Sequence, residues 1–422
     1  MIDPWNVLAA LLITGLAAAS GAEARRGSPA PLFALYWSVL TWAALLIAPD
    51  VAVWPPALFF IALGVAAFGV GGRLARAFPG RPRPRAPARL PDERVAAWSV
   101  ALGSACGLAG VTVLVMQSGL GFSPGALPAI ARQYSIERYW EFRTEPLAYR
   151  LLVIPHYAAC LLAGHLFLTT RSRRILWLAF LPLVPTVLIT LVLTTKASTI
   201  FAGILWIAGY AATAVYERGR GRADLRSGLL ARGSALAALA VPTILVVSQM
   251  WRGERTETSE LVEVLSDFRL DIFGFLGVFS SSFRAYWFTD WLTPSLGAYT
   301  FPGLVALAGG PAREMGVFAD PVLIANGHPS NIFTAFRCLV EDFTPAGAIA
   351  LLLAAGFAAQ RCFQRARAGS PGAVAGLAAV YATILWSHVV FFFGYNSVIA
   401  GWMLFAAVLA FAARRPATAV AG

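Results

Sequence analysis

The sequence predicts an all-α polytopic integral membrane protein of about 11 transmembrane helices, with one large extracytoplasmic loop that carries amphipathic and interfacial helices. Three observations predict it: a mean hydropathy of +0.69 over 422 residues, apolar runs of spanning length along the whole chain, and basic residues gathered in alternate connectors. A run of about 18 apolar residues covers the hydrocarbon thickness, and in lipid each backbone polar group must be paired within its own helix.

The predicted spans are residues 4–21, 31–49, 56–76, 95–118, 146–170, 175–194, 197–216, 229–250, 343–360, 373–393 and 398–413. The chain then divides into 1–250 with spans one to eight, 251–342 as the large loop, and 343–422 with spans nine to eleven. Cytoplasmic connectors carry an excess of Arg and Lys. Counted along these spans, one side collects 22 basic and 5 acidic residues and the other 11 and 16, so the net +12 splits into +17 and −5. The sequence pI of 10.1 therefore reports orientation, not nucleic-acid binding. The C-terminus falls on the basic, cytoplasmic side.

The first apolar run begins after Asp3 and is followed by Arg25 and Arg26, the reverse of a cleaved signal peptide, so it reads as a retained span. Cys106, Cys160, Cys338 and Cys362 lack the spacing of a disulfide framework or metal site. The Arg- and Pro-rich run 80–91 reads as a solvated loop against anionic head groups. His156 and His165 lie on opposite faces of one span, where packing or hydrogen bonding is expected of them. HExxH, Walker, GxSxG and DxD-type patterns are missing, so no metal and no cofactor are expected.

The large loop opens with an amphipathic pattern over 256–271, in which Leu261, Val264, Leu265 and Phe268 recur at helical spacing. Residues 272–291 are dense in aromatics and suit the membrane interface, and 299–310 is apolar but too short to span. If the chain is helical from Pro329–Ser330, then Asn331, Thr334, Arg337, Cys338 and Glu341 form a polar arc opposite Ile332, Phe333, Phe336, Leu339 and Val340. His328 precedes that helix, where a neutral imidazole accepts a proton. The plain alternative is an interfacial helix with an Arg337–Glu341 pair and an exposed histidine.

Further cations lie on the same predicted side. Arg132 and Arg143 are eleven residues apart, one face of a helix, and both point to a shared anion. Arg138 reads as a local partner of Glu141. Arg150 stands just inside the fifth span, where it binds an anion or snorkels to the interface. Lys196, the single lysine, either caps span six or opens span seven, where it opposes the helix dipole unless an anion is bound. Arginines matching phosphate bidentately would account for these positive charges on the acidic side.

The order of an Arg-bearing loop, a cation within Thr194 to Thr199, a long loop, Asn331-Ile332-Phe333-Thr334, Glu341-Asp342-Phe343 and Gly347 resembles the bacterial oligosaccharide repeat-unit polymerases, the O-antigen polymerases. His328-Pro329-Ser330-Asn331 is similar to the His-Pro-His-Asn stretch of the related O-antigen ligases. The chain departs from the pattern at Ser330, at Lys196, where Arg is usual, and at Thr344-Pro345, where an aspartate-phenylalanine-glycine sequence is common.

The resemblance implies a metal-independent glycosyltransferase in the bacterial inner membrane, its active site facing the periplasm. The donor and acceptor would be glycans linked to undecaprenyl pyrophosphate, with membrane lipids, a chain-length regulator and a flippase as further partners. It assigns pyrophosphate binding to Arg132, Arg143, Arg150, Lys196, Arg284 and Arg337, the base to His328, and orienting roles to Asn331 and Glu341. A ligase-like transfer to lipid A-core is an alternative, as is a lipid-linked sugar flippase or transporter, although the predicted span centres are nearly free of charge.

Overall fold

The structure, a computed structural model, describes residues 2–78, 90–121, 123, 125–139, 145–221, 243–250, 260–289, 294–310, 318 and 321–414. Among the described residues eight helices are long and apolar enough to cross a membrane: Pro29–Ile47, Pro55–Ala77, Glu93–Ser118, Leu147–Thr169, Arg173–Leu193, Ala197–Gly219, Thr334–Arg367 and Asn396–Arg414. Pro4–Ala18 and Pro371–Trp386 are shorter apolar helices. The chain is thus an α-helical membrane-embedded protein. The span expected at 229–250 lies mostly outside the described residues, of which 243–250 are helical.

The chain forms two compact units, each drawn from three stretches of the sequence. The first takes residues 1–79, 249–361 and 382–396; the second takes 80–248, 362–381 and 397–422.

In the second unit, Asp92 caps Glu93–Ser118 by accepting from the Val95 N–H at 2.8 Å, and Gly119 ends that helix at a φ of 72° that glycine adopts without strain. Leu147–Thr169 packs closely on Lys196–Gly219, because a Cβ on Gly164 or Gly209 would overlap the opposite backbone. His156 bonds Thr186 at 2.9 Å and His165 faces Thr213 at 3.3 Å, the hydrogen-bonding role expected of both. The sixth predicted span is broken into Arg173–Leu178 and Leu183–Leu193, since Pro182 brings no N–H to continue the ladder.

The first unit is built around Phe336, which is buried against Trp37 at 5.0 Å, Phe279 at 6.1 Å and Phe60 at 6.3 Å between ring centroids. These rings come from Pro29–Ile47, Pro55–Ala77 and a loop helix, so the apolar arc read at Phe336, Leu339 and Val340 is the core face. Gly71 and Gly356 bring Pro55–Ala77 and the membrane part of Thr334–Arg367 backbone to backbone: a Cβ on either would overlap the Leu353 or the Phe68 carbonyl oxygen. Gly71→Ala and Gly356→Ala should each destabilise the unit by about 1–3 kcal/mol through this overpacking. A lowered melting temperature of the purified protein is the check, and an unchanged one would rule out the close approach.

Among the described residues the loop of this unit contains Leu261–Phe273, in the place of the amphipathic helix expected over 256–271, of which 256–259 lie outside the described residues. Phe275–Phe288 follows in the aromatic stretch and the short Pro302–Leu307 in the apolar 299–310. The first buries Val264 and Leu270 but leaves Leu265 exposed, so the apolar face is narrower than its pattern suggests. Arg269 fastens it to the end of Pro29–Ile47: Nη1 donates to Asp50 Oδ1 and Nη2 to Asp50 Oδ2, each at 2.8 Å, and Nη1 also reaches the Ile47 carbonyl at 3.1 Å. These hydrogen bonds hold the Asp50 carboxyl below its ordinary value of 3.8. A depressed carboxylate stabilises the fold above its unfolded pKa and loses that contribution as pH falls through the folded one. The exposed pair is worth about 0.5 kcal/mol. Asp50→Asn should therefore melt lower than the parent at pH 7, and the difference should shrink as pH falls below the ordinary carboxylate range.

Candidate functional site

The helix expected from Pro329–Ser330 onward starts later, at Thr334, and a short hairpin precedes it. Val322–Leu323 and Pro329–Ser330 form an antiparallel pair, joined through Ala325–Gly327. The turn is of the hairpin type: Asn326 and Gly327 both have positive φ, 57° and 73°, and the His328 N–H returns to the Ala325 carbonyl at 3.1 Å. His328 is therefore a strand-entry residue, and Asn331 is an exposed linker residue, not part of the polar arc.

The helix begins at Thr334 because its first donors are taken by another segment. The Phe333 and Thr334 N–H groups both donate to the Val389 carbonyl at 3.0 Å, and Ala335 N–H donates to Ser387 at 2.7 Å. Serving as that acceptor strip keeps 387–391 out of the helix expected over 373–393, which stops at Trp386. A break follows at Thr344, with φ 63° and Pro345 next in the chain. Proline disfavours a helical residue before it and cannot donate to the carbonyl four residues back, which is that of Glu341. That carbonyl instead accepts the Ser295 N–H at 3.2 Å, and the Asp342 carbonyl accepts Leu296 at 3.1 Å.

The Asp342 side chain completes the clasp. It is fully buried, accepts from the Ser295 hydroxyl, and takes the backbone N–H of Tyr299 at 3.1 Å and of Thr300 at 2.6 Å. The sequence pattern named Asp342 only as part of Glu341-Asp342-Phe343 and gave no sign of this clasp, since backbone donors have no residue signature.

Arg337 lies one turn into the helix. Its Nε donates to Glu341 Oε1 at 2.6 Å, with the two side chains 17% and 13% exposed. The guanidinium carbon stands 3.8 Å from the Phe318 ring centroid and 4.6 Å from that of Phe333, a cation–π arrangement on two aromatic faces. Phe318 stacks in turn on Tyr299 at 4.5 Å, so the segment clasped by Asp342 forms part of the wall around Arg337. Among the described residues the Nη1 of Arg337 is buried without an acceptor, and the Thr300, Ser330 and Thr334 hydroxyls are buried without a partner. An unpaired donor on a buried charged group costs about 1–3 kcal/mol or more, which a hydrogen-bonding ligand would remove.

His328 is held elsewhere in the same unit. Its Nε2 lies 3.0 Å from Asp271 Oδ1, and Nδ1 is 3.6 Å from Asp267, too long for a hydrogen bond. In the tautomer whose Nε2–H donates to Asp271, the imidazole is oriented by a carboxylate and Nδ1 carries the lone pair.

The structure thus brings Arg337 and Glu341 together and gives His328 two acidic neighbours that the sequence did not indicate. Arg284 is exposed on Phe275–Phe288. Arg132, on Leu127–Tyr139, Arg150, in the first turn of Leu147–Thr169, and Lys196 belong to the second unit, and Arg143 lies outside the described residues. Lys196 is the first residue of its helix, after Thr194 ends the preceding one at φ 51°, so of its two expected placements it takes the one that opposes the dipole. No family model, curated protein or solved structure matches this chain.

Proposed function

We propose that the chain is a membrane glycosyltransferase that lengthens a glycan carried on a lipid pyrophosphate at the membrane face bearing the loop 251–342. The observation that supports this reading is the buried, aromatic-walled Arg337, whose Nη1 has no acceptor among the described residues, in a helix broken at Thr344 before Pro345. A diphosphate oxygen is the partner such a donor fits, and the charge that grows on the leaving pyrophosphate is what it would stabilise. His328, oriented by Asp271, takes the proton of the attacking sugar hydroxyl as its oxygen bonds the anomeric carbon. The anomeric C–O bond breaks with its electron pair passing to the pyrophosphate. Eleven spans, a periplasmic loop and a cytoplasmic C-terminus in a bacterial inner membrane belong to the same reading, as does undecaprenyl as the lipid.

Deletion of the gene in its host tests the class. Loss of chain lengthening with a single repeat unit still attached to the lipid A-core is the expected result. An uncapped core would point to a ligase, and lipid-linked units trapped on the cytoplasmic side to a flippase; either would overturn the polymerase.

A further inference from the structure

The end of the second loop helix presents a surface that the site around Arg337 does not use. Trp287 and Phe288 are 62% and 69% exposed, and Arg284, exposed too, lies one turn before them on neighbouring helical positions. Rings of this size exposed to that extent are unfavourable in water, because burial of apolar surface stabilises by roughly 25 cal/mol per Å².

Their depth is fixed by what lies behind them. The Trp54 ring packs on Phe288 at 5.9 Å and on Phe283 at 6.1 Å, and the Trp54 backbone N–H donates to the Ser280 hydroxyl. Trp54 is also the residue that precedes Pro55–Ala77, a helix of 23 residues with Arg73 and Arg76 at its far end. At about 1.5 Å per residue such a helix covers the hydrocarbon core, so its Trp54 end lies at a bilayer surface. The first turn of Pro4–Ala18 reaches the same level, because Asn6 Nδ2 donates to the Val53 carbonyl at 2.9 Å, and there Trp5 is 61% exposed. Trp5, Trp54, Trp287 and Phe288 therefore share one depth, that of an aromatic belt.

We infer that Arg284, Trp287 and Phe288 form a docking surface for bilayer phospholipid, with the two rings among the upper acyl carbons and the guanidinium on a lipid phosphate. Arg284 is thereby a lipid-anchoring residue, not a ligand of the transferred substrate, and the loop helix is pinned to the bilayer by its C-terminal end. The inference stands on packing and depth alone, independent of the transferase reading.

Photocrosslinking of the full-length protein in vesicles of mixed phosphatidylcholine and phosphatidylglycerol tests it. With p-benzoylphenylalanine in place of Phe288, ultraviolet light should yield a phospholipid adduct detected by mass spectrometry, at a level similar to the same probe at Leu63, exposed on the flank of Pro55–Ala77. Arg284→Glu should lower the phosphatidylglycerol share of that adduct at least threefold. Adducts confined to protein at position 288, while Leu63 captures lipid, would overturn the docking surface. An unchanged phosphatidylglycerol share in Arg284→Glu would overturn the phosphate contact. The same probe at Trp287 serves if the Phe288 variant does not fold.

Discussion

Arg337→Met is expected to lower the rate of chain lengthening at least a hundredfold, and adding Glu341→Leu is expected not to restore it. The double substitution separates two effects that a single one confounds. Among the described residues Arg337 is the partner of the Glu341 carboxylate, and both side chains are mostly buried, so Arg337→Met leaves an uncompensated acid at a cost of about 3–5 kcal/mol. Replacing both partners by apolar residues of similar volume removes that penalty, and the protein should return to parental abundance in the membrane. Catalysis should not return if, as proposed, the Nη edge of Arg337 meets the pyrophosphate, because one lost transition-state donor is worth about a hundredfold to a thousandfold in rate. Long-chain glycan at parental levels in the double variant, measured beside the amount of protein, would reduce Arg337 to a structural residue and remove the basis of the transferase.

Much of the architecture was legible because lipid imposes a single local requirement. Helices such as Pro55–Ala77 and Glu93–Ser118 need only apolar length, with Pro at one start and Asp92 as a cap at the other, and the sequence displays these directly. The core face of the helix at Phe336 was legible for the same reason, as a period of 3.6. The helix start was not. Periodicity over 331–341 extrapolates backward into Pro329–Ser330, whereas the strand there is set by the Asn326-Gly327 dipeptide, a hairpin signal that outweighs it. The end at Trp386 was hidden in another way, since it depends on carbonyls required by a helix about fifty residues earlier in the chain. Asp271 beside His328 is likewise a pairing across 57 positions, and a single sequence carries no trace of it.

Asp342→Ala is expected to release the segment 295–301 while leaving the helical core folded. The carboxylate receives one hydroxyl and two backbone N–H groups, and truncation strands those donors in a buried place at a cost of about 3 kcal/mol. Because the loss is confined to one clasp, it should appear as local opening: amide exchange at Tyr299 and Thr300 should quicken on the order of a hundredfold, with the amides around Trp37 and Phe336 unchanged. Release of Tyr299 would also withdraw the ring that backs Phe318, and with it the outer wall on the Arg337 guanidinium. Chain lengthening should fall by about tenfold, less than for Arg337→Met, since the guanidinium stays but is less firmly oriented. Asp342→Asn keeps one acceptor oxygen but turns an NH2 toward the clasped N–H groups, so its exchange should fall between parent and Ala. Unaltered protection of Tyr299 and Thr300 in Asp342→Ala would show that the clasp does not hold the segment and that Glu341 and Pro345 suffice.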